Sequence, residues 1–141
     1  MNSIILQIAS RYVRWLLLIF AVIALLRGHN YPGGGFIGGL LAGLSIVFEG
    51  FAYSPRYALD KLKFSPAGFI ATGLILIMAS FLPGVLTGGK LMTGTWVSLP
   101  FLFDWEVKLG TPLLFDTGIF FAVTGVTLLF FFSLKQDKQW K

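Results

Sequence analysis

The chain has 141 residues, 56% of them hydrophobic and only 12% charged, with a mean hydropathy of +0.82. Soluble domains carry about 25% charged residues, so this composition excludes a water-soluble fold and predicts one all-α integral membrane domain over residues 1–141. A net charge of +5 then reflects basic residues gathered on the cytoplasmic side rather than nucleic-acid binding; zero cysteines exclude a disulfide scaffold and thiol chemistry, and a single histidine excludes a multi-histidine metal site.

Four segments reach the roughly 20 residues that a bilayer core demands. The first runs from about Ile4 to Leu26. Arg11 and Arg14 interrupt it, and both are expected to snorkel to the headgroups. No small-residue cleavage site follows its apolar run, so it is read as a retained helix rather than a signal peptide.

The run Gly28-His29-Asn30-Tyr31-Pro32-Gly33-Gly34-Gly35 comes next. Pro32 sets φ for a first helical turn and Asn30 can cap it, which starts the second span near Gly33 and carries it to Tyr53. Gly35, Gly39 and Gly43 fall four residues apart, so they leave one helix face bare for close packing. Gly33, Gly35 and Gly38 also satisfy the glycine pattern of dinucleotide-binding turns, but an apolar helix precedes them where that fold needs a strand. Nucleotide binding is therefore excluded.

The third span covers 65–82, from the Ser65-Pro66 cap to Pro83-Gly84. Residues 83–111 form the longest connection, rich in aromatics, in which Trp105 to Leu109 alternates as a short strand would. That connection is expected to dock on the membrane interface or on another subunit. The fourth span covers 112–134, with Thr111 as cap, Pro112 as first residue and Lys135 at its carbonyl end. With both termini cytoplasmic, eight of the 11 basic residues lie inside, leaving only Arg27, Lys90 and Lys108 outside. The glycine turn and the aromatic connection then face outward.

Few side chains can carry ion chemistry. Glu49 lies about one turn from the end of the second span, where an intramembrane acid marks an ion path, or else reaches water or pairs with Arg56. Asp116 lies about one turn into the fourth span, either on a cation path or complementing a helix amino terminus. His29 titrates near neutral pH and either relays protons or fixes the turn. Ser45, Thr72, Ser80, Thr117, Thr124 and Thr127 are expected to bond between helices. No catalytic constellation and no inverted repeat appear in the sequence, so an ion pump working alone is not expected.

The string Arg27 to Leu40, with its His-Asn-X-Pro-Gly-Gly-Gly-Phe core, closely resembles the signature of the B subunit of Mrp-type multisubunit Na⁺/H⁺ antiporters, the MnhB family. Gly110 to Asp116 is similar to the family's approach to its last helix. The resemblance implies one accessory subunit among six or seven in a bacterial plasma membrane, needed for assembly and able to help line a sodium path, with Na⁺ and H⁺ as transported ions and no cofactor. It carries over His29, Asn30, Pro32, Gly33, Gly34, Gly35, Phe36 and Asp116; Glu49 is assigned from depth alone, Gly39 and Gly43 from the bare face, and Gly38 as part of the glycine string. Related modules of complex-I-like hydrogenases share the motif, and a purely structural subunit off any ion path is the third reading.

Overall fold

In the computed structural model, the described residues are 3–28, 34–86, 96–100 and 106–136. Four helices among them are long and apolar enough to cross a membrane: α1 (Ile4–Arg27), α2 (Gly35–Ala52), α4 (Pro66–Leu86) and α5 (Thr111–Gln136). A short helix α3 (Pro55–Asp60) joins α2 to α4, and a two-stranded ribbon precedes α5. In that ribbon β1 (Trp96–Pro100) pairs antiparallel with β2 (Glu106–Gly110), in a register that sets Ser98 opposite Lys108. The ribbon is an addition to the helical architecture, at the place where residue alternation marked a strand.

The order of packing is α1, α2, α5, α4, with α2 and α5 at the centre. Residues that meet across each seam give the directions. Gly38 faces Ala21, and Glu49 faces Arg14, so α1 and α2 are antiparallel. Gly35 meets Asp116, Gly39 meets Phe120 and Gly43 meets Thr127, so α2 and α5 run parallel. Gly125 meets Pro66 and Gly118 meets Ile77, so α4 returns antiparallel to α5. Of the apolar stretch of α1 only 11% is buried, against 61% for α2, which makes α1 the peripheral element.

Glycine makes this arrangement possible. Apolar side chains gain nothing by leaving lipid for one another, so membrane helices hold together through close contact and interhelical bonds. A Cβ on Gly39 would stand 2.7 Å from the Phe120 carbonyl oxygen, and one on Gly43 2.7 Å from Thr127 Cβ. A second seam, unmarked in the sequence reading, brings Gly73 against Ala122 and Gly118 against the Gly73 carbonyl. The bare glycine face of α2 is thus filled within the chain by α5. The tightest apolar cluster, Ile46, Val47, Ala58, Leu128 and Phe132, joins α2, α3 and α5 at the end where Glu49 lies.

The structure departs from the sequence reading at α2, α3 and α4, and α5 takes in Thr111, which was expected as its cap. Helix α2 starts at Gly35, because Gly34 has φ +101° and leaves the helical region; its N–H donates instead to the Ala24 carbonyl oxygen at 2.8 Å. Asn30 and Pro32, expected to open this helix, lie outside the described residues. Helix α4 passes through Pro83 to Leu86: the proline removes one donor, but in an apolar medium continued helix satisfies the remaining backbone groups best. Helix α3 has no counterpart in the sequence reading. Ser54 caps it, its Oγ accepting from the Tyr57 N–H at 3.1 Å, and Pro55 takes the first position.

Candidate functional site

Glu49 is the deepest charge among the described residues, 6% exposed and one turn from the carboxyl end of α2. Both its oxygens are engaged. Arg14 Nη1, from α1, donates to Oε2, and Lys61 Nζ, from the carboxyl cap of α3, donates to Oε1 at 2.9 Å. Arg56, the partner considered from sequence, makes no ion pair among the described residues. The reason is geometric: Arg56 lies at the start of α3, while Lys61 lies at its end, over the carboxylate. Arg14 was expected to reach the headgroups and instead turns inward to Glu49.

The clamp extends into aromatic rings. Lys61 Nζ sits 4.3 Å from the centre of the Tyr57 ring, which stacks on Tyr53 at 4.6 Å. The Tyr57 hydroxyl, then the Glu49 carboxylate, hold the Lys61 ammonium above its ordinary pKa of about 10.5, against partial desolvation. Beside the clamp lies a cavity of about 310 Å³ lined by Arg11, Arg14, Trp15, Glu49, Tyr53 and Lys61.

Asp116 belongs to the opposite end. The backbones of Gly35 and Asp116 touch so closely that a Cβ on Gly35 would overlap the Asp116 carbonyl oxygen. A Cβ on Gly34 would lie 3.7 Å from Asp116 Oδ2, so this carboxylate stands beside the amino terminus of α2 as well as in the second turn of its own helix. With 1.5 Å of rise per residue, Glu49 and Asp116 are separated by roughly 20 Å along α2. The structure does not bring the two acids into one site.

His29, Asn30, Pro32 and Gly33 lie outside the described residues. Phe36 follows at the first turn of α2 with its ring 59% exposed, pointing away from the bundle. Gly38, Gly39 and Gly43 are buried at the seams described above. Of the six hydroxyl residues singled out from the sequence, only Thr124 reaches another helix among the described residues, to the Gly39 carbonyl oxygen at 3.2 Å, with a shorter contact of 2.7 Å to the Phe120 carbonyl oxygen of its own helix. Ser45, Thr72, Ser80, Thr117 and Thr127 donate to carbonyls three or four residues back on their own helices, which satisfies a hydroxyl in apolar surroundings without a partner. Sequence reasoning missed Arg14 and Lys61 as partners of Glu49. Among the described residues no group of three or more His, Cys, Asp or Glu side chains is placed to hold a metal ion.

Comparison with known proteins adds a consistent set of likenesses. The family model described as a domain related to the MnhB subunit of Na⁺/H⁺ antiporters matches residues 5–129. The Na⁺/H⁺ antiporter B subunit of Bacillus subtilis is 32% identical over 142 aligned positions, covering 97% of this chain and 96% of that protein. The protein of the same name from Alkalihalophilus pseudofirmus is 31% identical and covers 96% and 94%. Among solved structures, a chain of the Mrp complex from Dietzia sp. DQ12-45-1b superposes with a TM-score of 0.76 at 28% identity. That match takes in 93% of this chain and 14% of the larger one.

Proposed function

This chain belongs to the MnhB family, and we propose from that membership that it is an accessory membrane subunit of a multisubunit Na⁺/H⁺ antiporter in a bacterial plasma membrane. The observation that carries the reading is the end-to-end likeness to two antiporter B subunits, over nearly the full length of both. The chain works in this reading as a transport component without catalytic chemistry and without a cofactor. Both termini face the cytoplasm, and the Gly34/Asp116 end faces outward, as the distribution of basic residues favours.

The two acids take different parts in this function. Glu49 is a structural clamp: with both oxygens held by cations, a passing Na⁺ would have to displace an arginine or a lysine. Asp116 is the candidate path residue, because an acid at membrane depth marks an ion path; the helix amino termini beside it attract its negative charge. In vesicles from antiporter-deficient cells, the complex carrying Asp116→Asn is expected to assemble normally and to show a shifted apparent Na⁺ affinity or pH profile. Parent-like transport across pH and sodium would make Asp116 a helix-end partner only, contributing about 0.3–1 kcal/mol to stability. Omission of the whole subunit is expected to abolish Na⁺-dependent proton flux, and the purified chain alone in liposomes is expected to give none. Robust flux from the chain alone would overturn the accessory assignment.

A further inference from the structure

The cavity beside Glu49 has a charge imbalance that the clamp does not resolve. Its walls carry Arg11, Arg14 and Lys61 against a single carboxylate. Glu49 spends its two oxygens on Arg14 Nη1 and Lys61 Nζ, which leaves no acceptor for Arg11. Among the described residues Arg11 makes no ion pair. Arg14 Nε is buried and without a hydrogen-bond acceptor, although buried donors are almost always satisfied. A transported cation is the wrong guest here, since it would meet three positive side chains and no open carboxylate oxygen.

The surroundings match a membrane-interface ligand. Trp15 and Tyr53 line the cavity, and aromatic rings of this kind sit at headgroup level. From Trp15 an exposed apolar stripe runs along α1 through Ile19, while Ile8 and Tyr12 flank the basic pair. We propose that the cavity between α1, α2 and α3 binds the phosphodiester headgroup of an anionic glycerophospholipid, with its acyl chains lying along the exposed face of α1. Arg11 binds the phosphate, Arg14 and Lys61 add positive charge from the cavity wall, and Glu49 fixes the orientation of Arg14. Basic pockets between membrane helices are known to take anionic headgroups in this way. The inference goes beyond the antiporter assignment, on which only the choice of the intact complex for its test rests.

The test is native mass spectrometry of the intact complex after exchange into nanodiscs of phosphatidylglycerol and phosphatidylcholine. Expected is retention of one phosphatidylglycerol attributable to this subunit, reduced at least tenfold by Arg11→Gln and unchanged by Arg56→Gln. Arg56 provides the control because it is exposed, carries the same charge and does not line the cavity. Arg11 is itself exposed and unpaired, so its replacement leaves the clamp intact. Millimolar inorganic phosphate is expected not to displace the lipid; displacement would assign the site to the free anion and overturn the lipid assignment. Equal retention of phosphatidylcholine, or equal loss with Arg11→Gln and Arg56→Gln, would also overturn it.

Discussion

Gly34 and Gly35 adjoin in sequence and exclude side chains for different reasons. Gly34 needs its left-handed φ of +101°, while Gly35 needs its bare surface against the Asp116 backbone. Gly34→Ala is expected to cost about 1–3 kcal/mol through backbone strain, since φ +101° with ψ −177° is open essentially to glycine alone. Gly35→Ala is expected to cost about 1–3 kcal/mol, because two backbones would have to part. Gly68→Ala is the control: its nearest contact is the Ser65 Oγ at 3.3 Å, and the change is expected to be near neutral. Thermal unfolding of the complex in detergent ranks the three. Glu49→Gln strips Arg14 of its countercharge and is expected to cost about 1–3 kcal/mol. Loss of the more exposed Lys61 is expected to cost no more than about 1 kcal/mol. Since the folded chain raises the pKa of Lys61, its contribution is complete below about pH 10.5 and fades as pH climbs through the raised value. Parent and Lys61→Met should therefore differ in melting temperature at pH 9 and converge in strong alkali. That Glu49 would need cationic partners was legible from its depth in an apolar span. Its partners were not, because Arg14 lies 35 residues away and Lys61 lies 12 residues away across a turn.

Among the elements, the four long helices were legible because twenty-residue apolar runs have few other uses. Helix α3 escapes the sequence reading although Ser54-Pro55 repeats the signal of Ser65-Pro66 that opens α4. Six residues are too few to show an apolar period, so only the cap marks the helix. Ser54→Ala is expected to cost about 1 kcal/mol and to loosen Lys61 from Glu49, which hydrogen exchange across residues 54–61 would register. The glycine spacing of α2 announced a close contact, yet periodicity cannot say which helix arrives. Here it is α5, from which Thr124 bonds to the Gly39 carbonyl oxygen. Thr124→Val keeps the shape and removes that bond, with an expected cost of about 0.6 kcal/mol and at most about 1.7. The melting temperature of the complex measures it.

At the scale of the whole molecule, the chain is two antiparallel hairpins, α1–α2 and α4–α5, fused along the parallel α2/α5 seam. The seam has a temporal consequence. Thr124 and Gly39 touch across it but are 85 residues apart in the chain, so at ribosomal rates of about 5–20 residues per second roughly 4–17 seconds separate their synthesis. Throughout that interval the glycine groove of the newborn first hairpin has no mate from its own polypeptide. A chain truncated after Leu86 would keep the groove open indefinitely, and in pulse-chase labelling it is expected to be degraded several-fold faster than the full chain. Supplying residues 96–141 as a separate polypeptide is expected to restore its lifetime. Helix α5, made after the others, is thus the keystone of the first hairpin inserted.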